Sequence, residues 1–504
     1  MRPAAEHGPH AIVRSTSPAG AAVLPIVGGV PGDVEGGEFL DRGGVTTSKL
    51  GITVMGMSQL LLWCCKGKQT YLVELTGETL DQDSGETGLV RMQTVVIGGG
   101  IIGLTTAYHL AREGVQVTVL DARATGHGAS DVNAGWIVPA EAAPVPGPGV
   151  VLTSMKWMLR PDSPLYIRPS LHPQFLSFLF GMWRASNARR QRAGFAGHLA
   201  LAESTVEIYD DYRADGMDFE MHSTGLLMAF TQRANLDHHL THLDLVKKYG
   251  LEPTVLEGDD VRVHEPLLSD AVQGGLFFPK ERHVDPGTLA RALHRRLVDL
   301  GADLVEHAPL TAVERDGDRI TAVRSHERTF SGDAYLLAAG AWTGPLSRQF
   351  GVPLPVRPGK GYSVDVEPLA MRSATNLSDA KVAVTPLTRN LRLAGTMEFG
   401  GLDEDINQVR VDAILRAPAT YFRDWQPPTT PPKPSAGMRP MTPDGLPIMG
   451  RLGRLSNGFV STGHGMLGVT LAPGSAAAMT ELILHDTASP RLAPFNPRRF
   501  RSAR

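Results

Sequence analysis

Residues 94–121 read T-V-V-I-G-G-G-I-I-G-L-T-T-A-Y-H-L-A-R-E-G-V-Q-V-T-V-L-D, and such a string admits few local folds. Val95, Val96 and Ile97 make a short β-branched run suited to a buried parallel strand, and three glycines end it abruptly. Gly98, Gly100 and Gly103 have the G-x-G-x-x-G spacing. The first permits a tight turn, the second lets backbone approach a pyrophosphate, and the third lets a helix pack close to the strand. That helix opens at Ile101 and Ile102, with free N–H groups aimed at the phosphates. Leu104, Ala107, Leu110 and Ala111 form its apolar stripe, and Gly114 is placed to stop it. Residues 115–120 are a second strand closing on Asp121, whose carboxylate can accept from a ribose and disfavours a 2′-phosphate; Ala122 and Arg123 follow at the same strand end. Strand, turn, helix, strand and acid in this order predict a dinucleotide site. They do not choose between FAD and NAD.

At 504 residues the chain exceeds one simple core and predicts two or three domains. Its net charge of -3 gives no reason to expect a nucleic acid partner. Cys64 and Cys65 are adjacent and precede the fingerprint, which excludes a disulfide framework, Cys-rich metal sites and any thiol for attaching a flavin downstream. Residues 1–91 are rich in glycine, alanine and short polar residues, and their apolar run 51–65 is too short to span a bilayer. They are expected to be a disordered or non-native extension, with Met92 standing where a chain of this architecture would begin. A peptide from residues 1–80 in the native protein would count against that expectation.

Residues 124–149 are loop-rich, and the small residues around Ser130, Asn133, Ala134 and Gly135 allow backbone to lie against a flat ring. His127 is read as an ordinary loop histidine rather than a covalent flavin anchor. Residues 163–183 carry Tyr166, Phe175, Phe178, Phe180 and Trp183, which favour core over a membrane-docking face. Amphipathic helices are predicted around residues 199–212 and 236–249. His238 and His242 lie one helical turn apart, but no further ligand converges on them, so no metal is expected. Asp285 can cap a helix starting at Pro286 and stopped by Gly301. Residues 302–305 read as a strand, 310–314 and 319–324 as a hairpin, and 334–338 as a buried strand ending in small residues at Gly340.

The last third carries P-V-R-P-G-K-G-Y-S at 355–363, L-A-G-T-M-E at 393–398, G-M-R-P-M-T-P-D-G-L-P-I-M-G at 437–450 and S-T-G-H-G-M-L-G-V-T-L at 461–471. With the fingerprint, these resemble the D-amino-acid-oxidase-like FAD oxidoreductases over about residues 92–487. The segment N-A-G-W-I-V-P-A-E-A-A-P-V-P-G-P-G is most similar to the small-subunit type of D-amino-acid dehydrogenase. The resemblance implies FAD, and an α/β fold in which a Rossmann-like FAD-binding domain (92–175, 281–345, 437–487) is interleaved with an α+β substrate domain on an antiparallel sheet (176–280, 346–436). Residues 488–504 form a C-terminal tail, whose Arg498, Arg499 and Arg501 are read as solvated rather than as a docking patch.

In the motif where the family places its carboxylate-binding arginine stands Arg439, and a guanidinium grips a carboxylate with two parallel hydrogen bonds. Gly463, Gly465, Met466, Leu467 and Gly468 lead into an apolar helix whose start can supply N–H donors to a reduced flavin; His464 is a further contact. Lys360 and Tyr362 are expected to face the substrate or flavin edge. The expected reaction is oxidative deamination of a D-amino acid to a 2-oxo acid and ammonia, with no side chain acting as a strong base. Electrons would leave to a quinone, another electron-transport component or oxygen, from a cytoplasmic protein associated peripherally with the inner face of the cytoplasmic membrane. A secondary amine or glycine as substrate, and a non-catalytic nucleotide-binding module, are the alternatives.

Overall fold

The structure is a computed structural model. It describes four strands within the first ninety residues and, from Arg91 on, all but residues 150–161, 242, 431 and 501–504. The chain divides into two units, residues 1–89 and 90–504. In the first, strands Glu38–Phe39, Ser48–Val54, Gln59–Lys66 and Gln69–Thr76 pair in chain order as an antiparallel sheet. Of the apolar run 51–65, residues 51–54 and 59–65 fall on its two middle strands.

Two sheets organise the second unit. The first has six strands in the order Asp303–Val305, Gln116–Leu120, Gln93–Ile97, Ala334–Leu337, Gly458–Thr462 and Ile448–Arg451, parallel except for the last. Alternation along Gln93–Ile97 explains its two covers. Val96 packs with helices Ile101–Arg112, Pro286–Asp299 and Gly468–His485 through Leu104, Leu293 and Met479. Val95 and Ile97 pack with Ile320, Val323 and Phe330 of the antiparallel meander Ala312–Asp316, Arg319–Ser325 and Arg328–Phe330. Asp285 caps its helix, Oδ1 accepting from Gly287 N at 2.9 Å. The predicted hairpin is the first two strands of the meander.

A nine-stranded sheet forms the second layer, running Thr254–Glu257, Gly274–Phe278, Leu226–Phe230, Ala374–Leu377, Val382–Pro386, Leu391–Phe399, Arg357–Val366 and Ser435–Met441, with Leu165–Ile167 added on Leu391–Phe399. It is antiparallel except where Leu226–Phe230 meets Ala374–Leu377 and where Leu165–Ile167 joins. Strand 165–167 and all but the first two residues of strand 435–441, which the expected boundaries gave to the nucleotide part, belong to this sheet. Register is the reason: Gly359 faces Arg439 and Gly361 faces Gly437, so the strand carrying Arg439 is an edge of the substrate sheet.

Both long helices predicted between these regions are broken. Residues 199–212 span Ala188–Ala202 and Thr205–Ala214, the break pinned by Thr205 Oγ1 donating to Thr470 O at 2.8 Å. Residues 236–249 span Arg233–Leu240 and Leu243–Lys248, the first closed by Thr241 Oγ1 donating to His238 O. His242 lies outside the described residues, and among those described no group of His, Cys, Asp and Glu is arranged to hold a metal. Of the aromatic segment, Phe178 is buried, but Leu171, Leu176, Phe180 and Trp183 are exposed. The tail is not a solvated strand of charge either. Leu492 and Phe495 are buried, and Arg499 pairs with Asp444 at 2.7 Å; Arg501 lies outside the described residues.

Candidate active site

The carboxyl ends of Gln93–Ile97 and Ala334–Leu337 lie side by side where the strand order reverses, the position at which open α/β sheets bind ligands. A cavity of about 1000 Å³ starts there and runs to the nine-stranded sheet. Gly98, Gly100, Ile101 and Ile102 line its nucleotide end, with Asp121, Ala122 and Arg123 beside them. Gly98 has φ +113, and a Cβ there would sit 2.5 Å from Ala338 O. Gly103 does not line the cavity: a Cβ on it would lie 1.9 Å from Gly98 O, so its part is the close packing foreseen for it. Asp121 accepts from Gly99 N (2.7 Å) and Arg123 N (2.8 Å), one on each oxygen, while burial raises its pKa. Ser130 Oγ accepts from Ile101 N at 2.8 Å, placing a hydroxyl on the helix N-terminus. Arg123 lies over the Trp342 ring and pairs with Glu404.

Ser130, Asn133, Ala134, Gly135 and Gly340 line the middle of the cavity, as does His127. The Asn133 side chain is spent on its own loop, donating to Ala129 O and Ser130 O and accepting from Gly135 N. It shapes the wall rather than reaching into the space. On the far side stand His464, Gly465, Met466, Leu467 and Gly468, at the start of Gly468–His485. Gly463 is set back from the cavity, at φ +78 with its Cβ position 2.6 Å from Thr442 Cγ2. Two of the expected donors have partners of their own, since Gly465 N donates to Pro440 O and Leu467 N to His464 O. His464 is buried and neutral, its pKa lowered to about 3 by desolvation. One ring nitrogen, Nε2, meets Ser475 Oγ at 3.0 Å, and the other, Nδ1, is buried without a partner.

Arg439 sits where this space meets the nine-stranded sheet. Its Nη1 donates to Thr396 O at 2.6 Å, and no acidic partner is within ion-pair range among the described residues. Burial lowers its pKa to about 10, so it stays charged at neutral pH. Two features of neighbouring strands make room for it. Gly361 has no side chain, and a Cβ would lie 2.1 Å from Arg439 Nη1. The strand Leu391–Phe399 bulges opposite residues 360–362, and Thr396 there has φ +66, a strained conformation for a β-branched residue.

Tyr362 lines the cavity and Lys360 does not. The bulge turns their partners apart: Lys360 faces Glu398 while Tyr362 faces Gly395. Lys360 Nζ donates to Asp403 Oδ1 (2.5 Å) and Asp405 O (2.9 Å), away from any ligand, which corrects its expected place at the flavin edge. Tyr362 OH donates to Glu398 Oε2 at 3.0 Å, and Glu398 is flanked by Lys360 at 3.7 Å and Arg410 at 3.6 Å. This buried charge network fixes the Tyr362 ring, and the Asn407 backbone N–H also bonds to its oxygen, which keeps one lone pair able to accept. Sequence reasoning singled out neither Thr396 nor Glu398, although both lie in the quoted L-A-G-T-M-E; nor did it single out Glu141 and Lys381, which also line the cavity.

A glycine-cradled helix N-terminus at one end, and a second at the other with the unpartnered imidazole nitrogen of His464 beside it, fit a flavin dinucleotide. Fold and site thus define a flavin-dependent oxidoreductase. The chain belongs to the FAD dependent oxidoreductase (DAO) family, whose model matches residues 93–482. It is 32% identical over 413 residues to a D-amino acid dehydrogenase of Methylobacterium radiotolerans, covering 78% of this chain and 96% of that one. A D-amino acid dehydrogenase 1 of Mesorhizobium japonicum is equally similar, at 32% over 412 residues with the same coverage. Among solved structures, glycine oxidase from Geobacillus kaustophilus superposes with a TM-score of 0.65 at 22% identity, covering 81% of this chain and 99% of that one. L-Proline dehydrogenase from P. horikoshii gives 0.62 at 18%, covering 82% and 98%. These two bear on the fold alone. The α/β reading and the FAD cofactor both stand.

Proposed function

We propose that the protein oxidises the Cα–N bond of a D-amino acid, giving an imino acid that water converts to a 2-oxo acid and ammonia. The observation that carries this reading is Arg439, a buried guanidinium at the cavity with no acidic partner among the described residues. A substrate carboxylate completes it with two charge-assisted hydrogen bonds. When bound, FAD supplies the atom that accepts the hydride from Cα. Arg439 fixes the carboxylate, the Tyr362 oxygen accepts from the amine, and the cavity wall excludes water, so that proximity carries much of the rate. The similarity to D-amino acid dehydrogenases supports the D-configuration.

Electrons pass to a quinone, another electron-transport component or oxygen, from a cytoplasmic protein resting on the inner face of the membrane. Helix Pro173–Ala185 supports the last point, since Leu176, Phe180 and Trp183 are exposed on it with Arg184 alongside. No helix among the described residues is long and apolar enough to cross a membrane.

The test is anaerobic addition of D- and L-amino acids, glycine, sarcosine and hydroxyproline isomers to the FAD-loaded protein. Bleaching of the flavin band by D-amino acids is expected, and oxygen readmitted afterwards separates oxidase from dehydrogenase. Bleaching by secondary amines alone moves the substrate to that class. A flavin that none of them reduces leaves a nucleotide-binding module.

A further inference from the structure

We infer that Glu141 receives the substrate's amino group, pairing with its ammonium on binding and removing the proton that has to leave before Cα can release a hydride. This rests on the amino acid reading of the Arg439 site. Glu141 ends the turn Pro139–Glu141 and lines the same cavity as Arg439. Its backbone is held from two sides. Val138 N donates to Thr470 Oγ1 and Thr470 Oγ1 to Trp136 O, both at 3.0 Å, tying the segment to the first turn of Gly468–His485. Ala140 N donates to Glu281 Oε1 at 2.9 Å. The Glu141 carboxylate itself has no hydrogen bond or ion-pair partner among the described residues. A rigidly mounted, half-buried carboxylate with no hydrogen-bond partner is costly to the fold, and a cationic ligand group repairs that cost.

The charged groups that act on it are Lys381 and Glu281. Lys381 follows strand Ala374–Leu377 and lines the cavity. Glu281 is fully buried, its Oε2 without a partner, and desolvation pushes its pKa up to about 8, so it is mostly neutral at pH 7. Burial pushes Glu141 up to about 7 against the pull of Lys381, which suits a group that gains and loses a proton near neutrality. One cavity therefore offers a cation for the α-carboxylate and an anion for the α-ammonium. In the step, an N–H bond breaks and an O–H bond forms on Glu141. The lone pair left on nitrogen then forms the C=N bond as the Cα hydride leaves to FAD.

Anaerobic flavin reduction is followed against pH for the FAD-loaded wild type, Glu141→Gln and Lys381→Met, with flavin retention read from the visible spectrum. Glu141→Gln is expected to be reduced about 100-fold more slowly at pH 7. The difference closes as pH passes the free amino acid's own ammonium titration, where the amine arrives already neutral. Lys381→Met keeps Glu141 but no longer favours its ionised form, so its acid limb moves to higher pH. Wild-type rates in Glu141→Gln at every pH, an equal loss at every pH, or an unmoved limb in Lys381→Met each overturn the assignment alone. A wild-type flavin that no amine reduces overturns it together with the amino acid reading.

Discussion

Arg439 is a charge that the fold desolvates and does not neutralise. Such a group lowers stability when the site is empty, and a ligand carboxylate offsets that cost only on binding. Arg439→Met should therefore weaken substrate binding by about 2 kcal/mol or more, roughly 30-fold or greater. Its denaturation midpoint should be no lower than that of the wild type, and FAD should stay bound. A clear loss of stability would instead make Arg439 a structural residue. Gly361→Ala tests the geometry without removing the charge. Its Cβ would intrude to 2.1 Å from Nη1, so the guanidinium must move, and binding should weaken with the flavin spectrum intact. The motif brought Arg439 to notice because it is a local string. Gly361 and the strained Thr396 become partners of Arg439 only through the pairing of three strands, which no single stretch records.

At the level of the element, the fingerprint βαβ was legible in full because each of its steps is short in sequence. The helix Pro286–Asp299 was legible for the same reason, with its cap, its proline and its leucine stripe contiguous. These two elements nonetheless respond differently to change. Asp285→Ala removes one cap hydrogen bond and should cost about 1 kcal/mol, read as a shifted urea midpoint, with FAD affinity unchanged. Gly103→Ala drives a Cβ into backbone at Gly98, and overpacking of that kind costs about 3 kcal/mol or more while opening the phosphate turn. Loss of flavin from Gly103→Ala but not from Asp285→Ala is the expected pattern; retention in both would remove the close approach from the cofactor site. What the sequence hid were breaks made by tertiary partners. Thr205 bonds to Thr470, far along the chain, and that contact interrupts a pattern that reads as one helix. The bulge that separates the fates of Lys360 and Tyr362 is likewise a property of the neighbouring strand.

Across the whole molecule, interleaving puts several ionisable groups into interiors where one protonation state is held. His109, His198 and His283 have their pKa values lowered to about 4 by burial, and His464 to about 3. The unfolded chain protonates each near 6.5, so below that pH it binds more protons than the fold does, and stability falls as pH drops towards 4. Glu141 and Glu281 act in the opposite sense. The fold keeps their protons up to about 7 and 8, whereas the unfolded chain releases them near 4.5, so the stability they contribute is lost as pH rises through 7 to 8. Four imidazoles outweigh two carboxyls between pH 4.5 and 6.5, and above 6.5 only the carboxyls still change. Urea midpoints should accordingly peak near pH 6.5, with the steeper fall on the acid side. His198 donates from Nδ1 to Ala142 O at 2.6 Å and stacks on Phe495, and does not itself line the cavity, so His198→Gln should flatten the acid limb. Glu281→Gln should flatten the alkaline one. Midpoints that rise steadily from pH 5 to 8 would mean that the two buried carboxyls are ionised in the folded protein, and Glu141 could not then serve as a group poised near neutrality.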